Sequence, residues 1–324
     1  MTSYREAGVD LEGADRHVDA IADSVTRTWR RDVVGGFGGF AAGIRLPEGL
    51  RDPVLMMSTD GVGTKLELAR RADRWDGVGF DLVAMCVDDL AAAGAAPLGF
   101  VDYLAVGSLN PDRDRQIVES VAAACVAAGC PLLGGETAEH PGVMDLEAVD
   151  LAGAAMGVVE ADSVLGPDRV RPGDVVIGLY SPNVRSNGYS LIRAVFGEDV
   201  DDHAEELLAP SIVYTPAVTE AAGTGAVHSA AHVTGGGLAA NLARALPSGL
   251  GAEIDTSSWD RPPVFEMISE RGIPEEEMRK TFNLGIGFCL VVQPDRVEEV
   301  SAAIGQHAPR PIGVVDDTEG VRLT

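Results

Sequence analysis

Val54-Leu55-Met56-Met57 runs without interruption into Ser58-Thr59-Asp60-Gly61-Val62-Gly63-Thr64-Lys65, and Leu66-Glu67-Leu68-Ala69-Arg70-Arg71 follows. This is the pattern of a strand, a glycine-bearing turn and a helix, so the chain must combine α and β elements. The turn gathers a carboxylate, glycines and an ammonium. Glycines free backbone N–H groups, a lysine neutralises charge and an aspartate can hold Mg²⁺, which together suit a phosphate chain and its metal. Read alone, the segment is equally an Asp-Gly turn with a surface lysine. It is not a Walker A loop, since G-x-x-x-x-G-K-[ST] occurs nowhere in the chain. Among 25 basic residues only Lys65 and Lys280 are lysine, so a compact, flexible ammonium has been kept in this turn against an arginine-rich background.

Strand and helix patterns alternate through the first 160 residues. Helical character is expected from Asp15 to Thr28, over Phe80–Ala93, and over Pro111–Ala128 with Asn110 as its cap. Pro97–Val106, Cys130–Leu133 and Leu151–Val159 read as strands. Gly166–Asp174 reads as a linker between two domains, 1–165 and 172–324. Beyond it, a strand (Val175–Tyr180), a helix from Tyr189, a helix over Leu238–Leu246 and a strand over Leu284–Val292 are expected. The fold class is therefore α/β (α+β).

A net charge of −25 leaves no basic stripe for a nucleic-acid backbone. No apolar stretch approaches about 18 residues, so no membrane span is expected. The first residues lack the charged-then-apolar pattern of a signal peptide, which makes a cytoplasmic location the expectation. Cys86, Cys125, Cys130 and Cys289 show no C-x-x-C spacing and read as small core residues.

Acidic residues recur where oxygen ligands can converge: Asp60, the Asp88-Asp89 pair and Glu136. Asp88-Asp89 reads as a solvated helix face or, given the apolar neighbours Met85, Cys86, Val87 and Leu90, as buried carboxylates needing a partner or metal. Glu136 follows Gly134-Gly135 and reads as a side chain presented by a tight turn, or as an acid at a helix N-terminus. Val33–Phe40 is a glycine-rich loop able to approach a ligand closely. Thr234-Gly235-Gly236-Gly237 precedes a helix and reads as an anion cradle or as a plain strand–helix turn. His232 and His140 read as packed strand histidines before catalysts. The G-x-S-x-G and H-E-x-x-H motifs are absent.

Tyr4-x-x-Ala7-Gly8-Val9-Asp10, GGFGGF (35–40), TDGVGTK (59–65), GFDLVAMCVDDL (79–90), GGETAEHPG (134–142), DLAG (150–153), SNGYSL (186–191), HVTGGG (232–237) and TFNLGIG (281–287) occur in this order. Together they closely resemble the phosphoribosylformylglycinamidine cyclo-ligase (aminoimidazole ribonucleotide synthetase) family. The resemblance implies ATP-dependent ring closure of formylglycinamidine ribonucleotide in purine biosynthesis. It also implies a homodimer whose N-terminal mixed sheets complete a barrel across the subunits, with a sandwich-like C-terminal domain. It places ATP on Gly36, Gly38, Gly39, Asp60, Gly61, Val62, Gly63, Thr64, Lys65, Gly135, Glu136 and Thr137. Mg²⁺ falls to Asp60, Asp89 and Glu136, with Lys65 and Asp89 catalytic. The substrate falls to Arg185, Ser186, Asn187, Thr234, Gly235, Gly236, Gly237 and Asn283.

Three departures stand out. Arg185 occupies a position where the family often has histidine, which suits phosphate binding better than proton transfer, because arginine stays protonated. Asp88 stands where asparagine is often found, and Phe196–Pro210 is shorter than the family pattern. The rival readings are another ATP-using relative (thiamine monophosphate kinase, selenophosphate synthetase, a hydrogenase-maturation enzyme or formylglycinamidine synthetase) and an inactive nucleotide-binding paralogue. Selenophosphate synthetase would want a reactive cysteine near the N-terminus, and none precedes Cys86.

Overall fold

The computed structural model describes residues 11–324; the Tyr4–Asp10 match lies outside them. The N-terminal half runs α1 (Leu11–Thr26), a short hairpin β1 (Val33–Val34) and β2 (Gly43–Ile44), β3 (Pro53–Gly61), α2 (Lys65–Ala72), α3 (Val78–Ala92), β4 (Ala96–Val106), α4 (Pro111–Ala127), β5 (Leu132–Glu139) and β6 (Val149–Glu160). Strand order is β3-β6-β4-β5, with only β4 and β5 parallel. The C-terminal half runs β7 (Val175–Tyr180), α5 (Tyr189–Phe196), α6 (Ala204–Leu207), α7 (Thr215–Gly223), β8 (Val227–His232), α8 (Gly237–Arg244), β9 (Gly251–Ile254), α9 (Pro263–Ser269), α10 (Glu275–Thr281), β10 (Ile286–Val292), α11 (Val297–Ala303), β11 (Arg310–Asp316) and β12 (Gly320–Leu323). Its mixed sheet has the order β12-β9-β11-β7-β10-β8.

The C-terminal sheet is covered on both faces. Phe288, Leu290 and Val292 of β10 pack with α7 and α11, while Cys289 and Val291 pack with Leu238 and Leu242 of α8. Every residue of β10 is buried, as a strand sandwiched between helical layers must be. The N-terminal sheet is covered by α3 and α4 on one face only. Its other face leaves Leu55, Met57, Val101 and Tyr103 exposed, Met57 by 77%. On the covered side Gly79 lets α3 and α4 touch, since a Cβ there would sit 2.1 Å from the Val121 nitrogen.

The Asn110 side chain caps α4 by accepting from the Arg113 N–H at 3.2 Å, as its sequence position predicts. Gly134-Gly135-Glu136-Thr137 is different: it is not a turn but the middle of β5, paired to β4 with Asp102 opposite Gly135. The glycines serve packing there, because a Cβ on Gly135 would lie 2.0 Å from Asp102 Oδ1. Among the described residues no helix is long and apolar enough to cross a membrane.

Candidate active site

Helix α3 carries two fully buried carboxylates, Asp81 and Asp88. Seven residues is two turns, so both project from one face. Asp81 Oδ1 accepts from the Ser211 N–H (3.0 Å) and hydroxyl (2.6 Å), and Asp81 Oδ2 lies 2.7 Å from Lys65 Nζ. Asp88 Oδ1 accepts from the Tyr214 and Thr215 N–H groups, both at 2.9 Å, and from the Thr215 hydroxyl at 2.8 Å. A carboxylate from the first half of the chain thus caps the N-terminus of α7 in the second half. Asp88 Oδ2 accepts from Arg185 Nη2 at 3.0 Å.

Lys65 is therefore not a cation offered to solvent. It is fully buried and donates to the carbonyls of Arg185 (3.1 Å) and Ala209 (2.9 Å) beside its ion pair. Burial pulls its ammonium below the ordinary range and pushes the Asp81 carboxyl above it, each shift opposed by the partner's charge. Arg185 is likewise turned inward, 1% exposed, with its guanidinium 4.9 Å from the centre of the Tyr214 ring. Both basic residues expected to meet ligand phosphates are committed to the junction between the halves, because two buried carboxylates require them there.

Next to Asp88, Asp89 faces the other way, half-exposed on a cleft of about 380 Å³ between the two sheets. Asp89 Oδ1 lies 2.9 Å from His232 Nδ1, and Ser58 Oγ is 3.5 Å from Asp89 Oδ2. Arg244 and Asn241 of α8 and Ser229 of β8 share this cleft. Arg244 is its sole basic residue among the described lining. It donates to Asn241 Oδ1 at 3.3 Å. Arg244 was missed in the sequence, although it lies two turns beyond the Gly235–Gly237 turn on the helix that turn opens.

A second cavity, about 620 Å³, lies under the glycine-rich loop. Gly36, Gly38 and Gly39 line it with Gly135, Glu136, Thr137, His17 and Asp102. Buried His17 sits 3.2 Å from the Thr137 hydroxyl, while its Nδ1 has no partner. Burial lifts the Asp102 carboxyl to about 7. Register links this cavity to the Asp60 turn: Asp60, Gly153, Asp102 and Gly135 are successive cross-strand partners. That row also separates the expected metal ligands. Asp60 and Glu136 stand on opposite edge strands, about 14 Å apart at three strand spacings. Among the described residues no three acidic, His or Cys side chains converge on one point. Asp60 and Asp89 do share a neighbour, Cys86, whose thiol is pushed up to about 12 by burial and then by Asp60.

The remaining expected residues form the seam around α3. Asp60 Oδ1 accepts from the Gly61 N–H at 2.7 Å, and the buried Val62 donates its N–H to Leu151 at 3.0 Å. Gly63 takes a positive φ of 70°, and the Thr64 and Ser190 hydroxyls are 3.1 Å apart. Ser186 donates to the Asp81 carbonyl and Asn187 contacts Met85. Asn241 Nδ2 ties down the carbonyls of Thr234, Gly235 and Gly237, with Gly236 between them at φ 100°. Gly237 is a packing glycine, since a Cβ would meet the Arg279 carbonyl oxygen at 2.0 Å. Asn283 is buried and spends its amide on the carbonyls of Asn183 and Val184.

The AIR synthase related protein family matches this chain twice, its N-terminal domain over residues 41–159 and its C-terminal domain over residues 171–324. A phosphoribosylformylglycinamidine cyclo-ligase of Parasynechococcus marenigrum (strain WH8102) is 47% identical over 313 residues, covering 93% of this chain and 91% of the relative. One of the same description from Synechococcus sp. (strain CC9605) is 48% identical, covering 91% and 89%. In fold, the chain resembles thiamine-monophosphate kinase from Stenotrophomonas maltophilia K279a (TM-score 0.71, 21% identity, 94% and 95% covered). It also resembles the hydrogenase maturation protein HypE in complex with ATP (TM-score 0.71, 22% identity, 98% and 93% covered).

Lys65→Met leaves Asp81 buried without its cation and is expected to cost about 3–5 kcal/mol in urea denaturation. Adding Asp81→Asn is expected to recover more than half of that. Unchanged stability in the single variant would return Lys65 to a ligand-binding role. Asp102 gives a pH test. Its folded value lies above its unfolded value of 3.8, so only the unfolded state releases the proton between about pH 4 and 7. The group therefore costs nothing below that window, and its full cost is present above it. The stability advantage of Asp102→Asn over the parent is expected to be about 1–2 kcal/mol larger at pH 8 than at pH 5, after a discount for partial exposure. An equal advantage at both pH values would show that the carboxyl titrates normally.

Proposed function

The chain belongs to the phosphoribosylformylglycinamidine cyclo-ligase family, and we propose that the cleft between its two sheets is where the ring is closed. It is an ATP-dependent ligase of purine biosynthesis, converting formylglycinamidine ribonucleotide to aminoimidazole ribonucleotide with release of ADP and phosphate. An amide-type oxygen is a poor leaving group. Transfer of a phosphoryl group to the formyl oxygen lets it depart as phosphate when the internal nitrogen attacks, and holding the open chain in a folded pose supplies much of the acceleration.

The observation that carries the assignment is the cleft itself, in which an oriented and half-exposed carboxylate, Asp89, shares the walls with one guanidinium, Arg244. Arg244, oriented by Asn241, takes the substrate phosphate, the role that buried Arg185 cannot fill. Ser58, Ser229 and Asn241 also line the cleft, and Asn241 ties it to the Thr234–Gly237 turn. His232 has both ring nitrogens engaged, by Arg185 and Asp89, and so orients the carboxylate rather than exchanging a proton with substrate. ATP is assigned to the cavity under Gly36–Gly39, against Gly135–Thr137. Asp60 and Asp89, flanking one thiol, suit Mg²⁺, which takes one or two carboxylates together with substrate phosphates; when bound it would neutralise phosphate charge. Glu136 belongs with the nucleotide and not with that ion.

The exposed apolar side chains Leu55, Met57, Val101 and Tyr103 on one sheet face support a homodimer in which two such faces meet and complete the barrel, since clustered exposed apolar side chains mark an interface.

Purified protein given ATP, Mg²⁺ and formylglycinamidine ribonucleotide should form aminoimidazole ribonucleotide and ADP; ATP binding without product would identify an inactive nucleotide binder. Arg244→Ala is expected to raise the substrate KM about 10- to 100-fold while leaving that for ATP in place, and an unchanged substrate KM would remove Arg244 from the site. Tyr103→Glu is expected to sediment as a monomer at concentrations where the parent is dimeric. A dimer that survives the change would place the interface elsewhere.

A further inference from the structure

We infer that Arg185 is a positioning residue: it sets the tautomer of His232 and thereby the orientation of the Asp89 carboxylate in the cleft. This rests on the reading that Asp89 works in that cleft. The argument is one of donors and acceptors. Arg185 Nη2 lies 3.0 Å from Asp88 Oδ2 and 2.9 Å from His232 Nε2. A guanidinium only donates and stays protonated in proteins. His232 Nε2 is therefore the lone-pair nitrogen, the ring hydrogen sits on Nδ1, and Nδ1–H donates to Asp89 Oδ1 at 2.9 Å. The opposite tautomer would set N–H against N–H at Arg185 and a lone pair against a carboxylate at Asp89. Asp88, Arg185, His232 and Asp89 thus form one polarised chain with a single favourable hydrogen arrangement.

The guanidinium is itself held in place. Arg185 has a left-handed backbone, φ 66°, which is uncommon and unfavourable for a bulky residue and persists only when surroundings enforce it. The enforcement is visible: its carbonyl accepts from Lys65 Nζ at 3.1 Å and its N–H donates to Asn183 Oδ1 at 3.2 Å. Its side chain lies against the Tyr214 ring. His232 stacks on Phe288, with ring centroids 5.9 Å apart, so the imidazole cannot turn freely. Asp88 and Arg185, where the chain departs from its family pattern, prove to be in direct contact. A fixed tautomer imposed by an outer partner is a known means of orienting a site carboxylate or ligand.

The test uses two double variants of the full chain, because Asp88→Asn removes the charge that loss of Arg185 would strand. D88N/R185Q keeps an N–H donor within hydrogen-bond reach of His232 Nε2; in D88N/R185M the nearest is the amide of the new asparagine, at a carboxylate position 3.9 Å away. Nitrogen-15 spectra of histidine-labelled protein, with the signal assigned by its loss in His232→Gln, report the tautomer directly. The parent and D88N/R185Q are expected to show the Nδ1–H form, and D88N/R185M a mixture with Nε2–H. In activity, D88N/R185M is expected to fall about 10- to 100-fold in kcat below D88N/R185Q, with KM for ATP and substrate little changed. A pure Nδ1–H signal in D88N/R185M, or equal kcat in the two variants, would overturn the proposal. The spectra require no turnover, so a chain that fails to close the ring yet shifts its tautomer refutes the functional reading and leaves the tautomer control by Arg185 standing.

Discussion

Two carboxylates buried on one face of α3 hold the molecule in register. Asp81 and Asp88 reach out of the first half of the chain and take donors from Ser211, Tyr214 and Thr215 in the second. Each also demands a cation, and Lys65 and Arg185 supply them. Buried ion pairs add little net stability, because desolvation offsets most of the attraction, but losing one partner is costly. Their effect is to permit one docking geometry and penalise the others. The start of α2, the 181–188 loop and the N-terminus of α7 are all placed by these two side chains.

The site follows from that placement. Successive residues on a helix point about 100° apart, so Asp88 and Asp89 have opposite fates although they are chemically identical. Asp88 is inside and fully bonded; Asp89 opens on the cleft with one oxygen held. His232 joins them across the seam, reaching Asp89 directly and Asp88 through Arg185. A rigid buried pair thus stands directly behind the half-exposed carboxylate of Asp89, the arrangement that the proposed site requires.

Much of this was legible in the sequence. The strand–turn–helix unit at 54–71, the Asn110 cap and the helices around 80–92 and 111–127 follow from local pattern, and local pattern is what the structure keeps. The separation of Glu136 from Asp60 was hidden because sheet order is non-local: nothing in GGETAE says that its strand lies at the opposite edge from Asp60. The Ser211, Tyr214 and Thr215 donors to Asp81 and Asp88 were hidden for the same reason, being more than a hundred residues away. A sharper use of periodicity would have helped. Asp102 sits between Phe100 and Leu104 at an inward strand position, and Asp81 shares a helical face with Asp88, so both could have been marked as buried carboxylates in search of partners.

The rarity of lysine now has a physical explanation different from phosphate binding. Lys65 Nζ has three acceptors, Asp81 Oδ2, the Arg185 carbonyl and the Ala209 carbonyl, at 2.7, 3.1 and 2.9 Å. An ammonium carries three donors on a compact head, two spent on those carbonyls and the third left to face the carboxylate as an ion pair. A planar five-donor guanidinium in that space would strand at least two, each at a desolvation cost. Arg185 illustrates the penalty, since its Nε and Nη1 have no partner. There the ring of Tyr214 and the shared Nη2 bonds compensate, which Lys65, 5.4 Å from the centre of the Tyr189 ring, does not require. Composition pushes this chain toward arginine, and the geometry of three converging acceptors is what exempts position 65.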